Sequence, residues 1–198
     1  MLTAKVAIRG IRPLLWHSFS KDTIPLEKQE KGGVAGNNPD EWRSTYLATE
    51  DGQLYLQPTY VFGTFRDGAK YTKTGLQKKV AATLQVLDDR VLVDRFVPDG
   101  DLPVDPAADV YIDIRGVVNP ETHRRNVRYR IAASPGWKVK FGIIWDETIV
   151  DRKLMHSVAI DAGRFVGLGD GRNVGFGRFE VEKFTVEKPK VARGRKRA

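Results

Sequence analysis

The 198-residue chain contains no cysteine. Disulfides and thiolate metal sites are therefore excluded, and a reducing compartment is expected. No apolar run approaches the roughly 20 residues that a membrane helix needs. The opening "MLTAKVAIRG" alternates in polarity and lacks the apolar centre of a secretory signal. The expectation is a cytoplasmic protein with no membrane partner. Histidine is scarce, with three residues in all, and no His/Asp/Glu spacing reads as a metal site. No Gly-Lys-Ser/Thr follows a glycine cluster, which excludes the nucleoside-triphosphatase loop. No cofactor is expected.

Positive charge is plentiful. Thirty-three Lys+Arg against 25 Asp+Glu give a net charge of +8, which favours a polyanionic partner, nucleic acid first. Residues 187–198, "EKPKVARGRKRA", carry six basic residues and one acidic, a net of +5, which leaves 8 − 5 = +3 for the rest. They read as a basic disordered tail. Residues 1–186 read as a single domain, with 41% hydrophobic residues in the chain to build a core.

Periodicity places the elements. Leu2, Ala4, Val6 and Ile8 share one face of a first strand, and Thr3, Lys5, Ala7 and Arg9 share the other. Residues 18–53 show little periodicity and form a long insert, with Trp42, Tyr46 and Leu47 tacking down its end. Pro58 starts a helix carrying Val61, Phe62, Phe65, Leu76, Val80, Leu84 and Leu87, with Gly68 and Gly75 as interruptions. Strands follow at "DRVLVDRFV", "VYIDIRGVV", "VRYRIAAS" and "WKVKFGIIWD". Residues 151–165 read as an amphipathic helix burying Leu154, Val158, Ala162 and Phe165. A last strand contains Phe179 and Val181. The order is βαββαβ with additional hairpins, an α+β ferredoxin-like arrangement.

Between the last helix and the last strand lies "GLGDGRNVGFG", with five glycines in residues 167–177. A dinucleotide fingerprint has its strand before and its helix after, the reverse of the order here. Gly167, Gly169, Gly171, Gly175 and Gly177 allow positive φ and leave main-chain N–H groups open to an anion, and Arg172 and Arg178 add charge. The bland reading is a helix-to-strand turn with Gly167 as C-cap. The functional reading is a loop that lies against a sugar-phosphate backbone.

"GLGDGRNVGFGRFEV" resembles the C-terminal glycine-rich loop of the repeat-associated mysterious protein (RAMP) superfamily, the RNA-binding subunits of CRISPR effector complexes. "LYLQPTYVFGTFRDGAK" is similar to the family's "PxSxxxGxxR"-like stretch, with Pro58, Gly63 and Arg66 in comparable places and Thr59 and Thr64 as the small hydroxyl residues. The lysine usual after the first glycine is missing. The layout also resembles small RAMP-like phage and prophage proteins. The resemblance implies an RNA-recognition-motif-like fold and a protruding β-hairpin, the thumb, for which residues 115–131 are the candidate. It implies a backbone subunit that coats a guide RNA as a homo-oligomer, with target nucleic acid and other effector subunits as further partners. Candidate RNA contacts are Lys5, Arg9, Arg66, Lys70, Arg115, Arg124, Arg125, Arg128, Tyr129, Arg130, Arg172 and Arg178, together with the five loop glycines.

Two alternatives stand beside this. Some RAMP proteins are metal-independent endoribonucleases, and His17 after the first strand is the candidate general base, with Lys21 or Arg172 as the cation. Asp22 and Asp40 are candidates for a cleaving aspartate in the insert. His123 reads as a phosphate contact and His156 as packing. The other alternative is a phage single-stranded nucleic-acid-binding or virion protein.

Overall fold

A computed structural model of the chain describes residues 1–18, 39–118, 123 and 125–187. Strand β1 (Leu2–Gly10) runs through the middle of the main sheet with Leu2, Ala4, Val6 and Ile8 buried, as its alternation requires. It pairs with β8 (Lys138–Trp145) on one side and β9 (Phe179–Glu187) on the other, both antiparallel. The sheet continues from β8 through β5 (Val91–Phe96) to β3 (Gln53–Leu56), and β4 (Gln85–Val86) also pairs with β8. The strand order β9-β1-β8-β4, joined by helices after β1 and β8, is the ferredoxin-like βαββαβ arrangement.

Among the described residues three α-helices accompany the sheet: α1 (Pro58–Thr72), α2 (Leu76–Thr83) and α3 (Arg152–Asp161). Pro58 occupies the first helical position of α1, where its missing N–H costs nothing. Val61 and Phe65 point into the core, and Phe65 meets Phe141 of β8 edge-on, ring centroids 5.8 Å apart. Asp151 caps α3, its carboxylate accepting from the Leu154 N–H at 3.0 Å. Trp137, Val139, Phe141, Ile143 and Trp145 are all buried, which bears out the strongest alternation in the sequence.

A second, smaller sheet carries the hairpin. Strands β6 (Val110–Val118) and β7 (Arg125–Ala133) pair antiparallel along their full length, from Val110 opposite Ala133 to Val118 opposite Arg125. The short β2 (Leu14–Leu15) joins the edge of β7. The end of the long insert is a 3-10 turn, Glu41–Ser44, against β7, with Trp42 and Leu47 buried as expected. Residues 19–38, 119–122, 124 and 188–198 lie outside the described residues, and with them Lys21, Asp22, Arg124 and nearly all of the basic tail.

Three helix expectations are corrected. Gly68 does not interrupt α1. It lies inside the helix, where the π turn that follows α3 passes close by: a Cβ there would sit 2.7 Å from the Cα of Ala162. Gly75 does break the helix, with φ +78 at the start of α2. The second correction concerns Phe165, expected in the buried stripe. After α3 the chain widens into a π turn, Ala162–Val166, which shifts the register. Met155, Val158, Ala159, Ala162 and Val166 are buried instead, and Phe165 is turned outward, 46% exposed. Leu87 is likewise exposed rather than core.

Candidate nucleic-acid interface

The glycine loop is a packed crossover between α3 and β9. Gly167 has φ +86 and closes the π turn, its N–H donating to the Ala162 carbonyl at 2.9 Å. From there the loop lies on β2. The Asp170 N–H donates to the Leu15 carbonyl at 2.9 Å, and the Gly177 N–H to the Pro13 carbonyl at 2.7 Å. The Leu168 N–H donates to Gly177, and the N–H groups of Val174, Gly175 and Phe176 close turns within the loop. These seven main-chain donors are spent on carbonyls and are closed to an anion. Gly167, Gly169 and Gly177 are buried, and a Cβ at each would meet this chain's own backbone at 2.5, 2.5 and 1.8 Å. Internal packing therefore requires these glycines. Gly171 and Gly175 are half-buried, and nothing lies within 4 Å of a Cβ at Gly175.

What the loop presents outward is its arginines. They face α1, and Thr64 ties the two elements together, its hydroxyl donating to the Gly167 carbonyl at 2.8 Å. Along this seam Asp67, Lys70, Tyr71, Phe165, Arg172, Asn173 and Arg178 line a depression of about 270 Å³. Arg66, Tyr60, Gly63 and Arg172 line a second one beside it. The two meet at Arg172 and together make up the groove considered below.

The electrostatics of this groove are uneven. Asp67 holds Arg66 Nη2 at 2.9 Å, Arg172 Nη1 at 3.7 Å and Gln77 Nε2 at 3.3 Å. It fixes two arginines at once. Arg178 differs: its Nη1 is buried and has no hydrogen-bond partner among the described residues. Burial pushes the Arg178 guanidinium below its ordinary range, and Tyr71 pulls it back up. Tyr71 and Phe165 are 52% and 46% exposed, with ring centroids 5.2 Å apart and a 39° tilt. Lys70 Nζ lies 4.9 Å from the Tyr71 ring centre. Cations beside exposed aromatic rings are what an unstacked nucleotide requires: charge for its phosphate, a π face for its base.

Of the expected contacts, the structure thus brings together Arg66, Lys70, Arg172 and Arg178. Sequence reasoning missed Tyr71, Phe165, Asn173 and Asp67. The π turn, which has no period in the sequence, carries Phe165 outward, and Tyr71 follows Lys70 directly in α1.

The hairpin arginines form a second group with partners of their own. Arg115 Nε lies 2.9 Å from both carboxylate oxygens of Asp113, and its guanidinium lies 4.4 Å from the Phe176 ring centre. Arg128 pairs with Glu41, whose other oxygen accepts from the Tyr129 N–H at 3.3 Å. Arg130 Nη1 reaches Asp170 of the glycine loop at 3.0 Å. Arg125 opens β7, and His123 lies in the turn with φ +55. Lys5 and Arg9 lie on the other side of the molecule, on the open face of the main sheet. Lys5 pairs with Glu187 at 2.8 Å, and Arg9 with Glu180 at 3.3 Å and Glu182 at 3.6 Å. They do not join the groove.

His17 belongs to the hairpin's ion-pair cluster, its Nε2 3.8 Å from Glu41 Oε1. Burial pushes its imidazole below the ordinary histidine range. Asp170 and Glu41 pull it up, while Arg130 and Arg128 push it further down. The unfolded chain therefore binds a proton at His17 more readily than the folded one. The resulting stability is complete above the unfolded value of about 6.5 and is lost as the pH falls toward the lower folded value. Acidification through this window is expected to lower the melting temperature more in the wild type than in His17→Gln, as followed by circular dichroism. Asp40 precedes the 3-10 turn, and its carboxylate accepts from Arg43 Nε at 3.2 Å. His156 sits on α3, its ring 4.9 Å from that of Phe184. Among the described residues no helix is long and apolar enough to cross a membrane.

No family model matches the sequence, and no curated protein matches it. In three dimensions the chain is similar to a chain in the cryo-EM structure of the Type III-B Cmr-beta bound to cognate target RNA, with a TM-score of 0.52 and 14% identity. The match covers 94% of this chain and 61% of that one, so this chain spans less than two thirds of its neighbour's length. At this identity the likeness shows the fold. The chain is α+β and ferredoxin-like, consistent with the RAMP-like fold that the glycine-rich loop implies.

Proposed function

We propose that the chain is an RNA-binding, RAMP-type backbone subunit, several copies of which coat a single-stranded guide RNA in an RNA-guided ribonucleoprotein. Target nucleic acid and other effector subunits are its further partners. The observation that carries this reading is the groove between α1 and the glycine loop. Arg178 lines it and holds a buried guanidinium N–H with no partner among the described residues, and exposed Tyr71 and Phe165 line it as well. An unsatisfied buried donor costs about 1–3 kcal/mol. A turn of the guanidinium that brings this donor to a phosphate oxygen, with Lys70 and Arg172 beside it, relieves that cost. The base of the same nucleotide stacks on Phe165 or Tyr71, which selects single strands, because paired bases keep their faces covered. The similar solved chain comes from a complex bound to target RNA, which supports RNA as the ligand class.

The proposed role is non-catalytic. His17 sits in an ion-pair cluster with Glu41, Arg128, Arg130 and Asp170 that joins the hairpin to the insert and to the glycine loop. That setting supports a structural role, because a general base needs to reach a 2′-hydroxyl. Cleavage of a labelled hairpin precursor by the wild type but not by His17→Ala would overturn this part of the reading.

Binding is tested by fluorescence anisotropy on single-stranded RNAs of two lengths. Affinity is expected to fall linearly with salt on a log–log plot, and the number of protomers to scale with RNA length. One protomer per RNA at every length contradicts the array. Tyr71→Ala and Phe165→Ala are each expected to weaken binding about tenfold, within the ~1–3 kcal/mol that a stacked base contributes. DNA of the same sequence binding as tightly as RNA would favour the phage single-stranded DNA-binding alternative.

A further inference from the structure

The open face of the main sheet carries a second feature that the groove does not use. Ala7, opposite Lys140, and Gly142, opposite Lys5, leave a shallow trough at its centre, and Leu87, 51% exposed, forms one apolar wall. Lys5, Lys140 and Lys183 rim it. Lys5 has Glu187 as its partner, whereas Lys140 and Lys183 have no ion pair among the described residues. The trough has no aromatic side chain exposed for a base to stack on. The carboxylates of Asp88, Glu182 and Glu187 stand on or near its rim, and the Asp88 carboxylate accepts from the Gly142 N–H at 2.6 Å. Mixed charge around small apolar residues suits a protein with a few carboxylates better than a polyphosphate chain.

A segment of complementary chemistry occurs in the same molecule. Residues 98–109, "PDGDLPVDPAAD", hold four aspartates and no cation. Buried Leu102 anchors this loop, as does the Pro103 carbonyl, which accepts from the Ile112 N–H at 2.8 Å. Asp105 holds its turn by accepting from the Ala107 N–H at 2.9 Å. Val104 is thereby held outward, 56% exposed, between Asp101 and Asp105. Asp101 meets exposed Arg43 at 3.8 Å, and Asp109, itself exposed, meets the largely buried Arg95 at 3.8 Å; both contacts are long, and both carboxylates face solvent. The loop leaves β5 toward the β3 edge of the sheet, where the Val97 N–H donates to Gly52, whereas the trough lies over β8, β1 and β9. The two patches are different surfaces near opposite edges of the sheet, as a repeating head-to-tail contact needs.

We infer that the trough docks a second copy of this chain through that copy's 98–109 loop, Val104 against Leu87 and Ala7, the aspartates against Lys140 and Lys183. The contact deepens the reading of copies arrayed on RNA, which it rests on for its purpose. It is protein to protein, however, and is measured without RNA.

The full chain is examined by sedimentation velocity at low salt over a range of concentrations. The wild-type sedimentation coefficient is expected to rise with concentration. The variants K140E/K183E and D99K/D101K are each expected to self-associate about tenfold more weakly. The variant carrying all four substitutions regains association, because the charges are exchanged. Affinity of single copies for a short single-stranded RNA stays at the wild-type level in all three. A flat wild-type profile, single-swap variants that associate like wild type, or a folded four-substitution variant that stays monomeric overturns the inference. Loss of short-RNA affinity in K140E/K183E, on the scale of an Arg178 substitution, identifies the trough as a nucleic-acid surface and also overturns it. If no RNA binds but the charge-swap pattern holds, the docking contact stands and the RNA reading falls.

Discussion

Arg178→Met is expected to weaken binding to single-stranded RNA about tenfold and, at the same time, to raise the melting temperature. The two effects have one origin. The Arg178 guanidinium is held in the protein with Nη1 buried and without a partner among the described residues, and burial disfavours its charge. A buried, unsatisfied donor destabilises the fold until a ligand satisfies it. Methionine keeps most of the apolar stem and removes that donor. The main chain at this position is insensitive to the change, since the Arg178 carbonyl still accepts from the Ile11 N–H at 2.8 Å. Lost phosphate contact lowers affinity by roughly the strength of one charge-assisted hydrogen bond, about 1.5–3 kcal/mol, or tenfold and more. Anisotropy titrations and thermal unfolding read the two effects separately. A residue retained for stability alone would show a lower melting temperature and unchanged affinity.

Gly177→Ala is expected to unfold the protein or to destabilise it by more than about 3 kcal/mol. The new Cβ would lie 1.8 Å from the Leu168 carbonyl oxygen, at φ +66. Leu168 and Gly177 are bonded partners across the neck of the loop, so neither can withdraw without opening the α3-to-β9 crossover. Gly175→Ala is the control. Its Cβ meets nothing within 4 Å, and only the left-handed backbone, φ +91, resists it, at about 1–2 kcal/mol. Urea denaturation separates the pair. Equal destabilisation would mean that the loop yields as a whole and that its glycines are not set by packing.

The sequence made the scaffold legible wherever polarity had a clean period. The buried positions of β1 and β8 alternate along each strand and are the ones expected. The hairpin, the start of α1 at Pro58 and the glycine break at Gly75 were also readable, since each rests on local backbone chemistry. The site was readable only in part. Its arginines lie in the two stretches that resemble the RAMP pattern, but their neighbours arrive through tertiary structure. Phe165 depends on the π turn that shifts it outward, and Asp67 gains meaning only when α1 packs beside Arg172. The glycines are the instructive case. Their number pointed to an open main chain, yet at Gly167, Gly169 and Gly177 the empty space is filled by this chain's own carbonyls. Sequence shows that a Cβ is absent and is silent on which atoms need its place.

The central claim is that a single strand of RNA lies in the groove between α1 and the glycine loop. Photo-crosslinking of a 4-thiouridine-substituted single-stranded RNA to the full chain, with the attachment sites mapped by mass spectrometry, tests it most directly. The account predicts crosslinks at Tyr71 and Phe165, lost in Arg178→Met at subsaturating RNA. Crosslinks confined to the open sheet face around Lys140 and Lys183, with none at Tyr71 or Phe165, would contradict it.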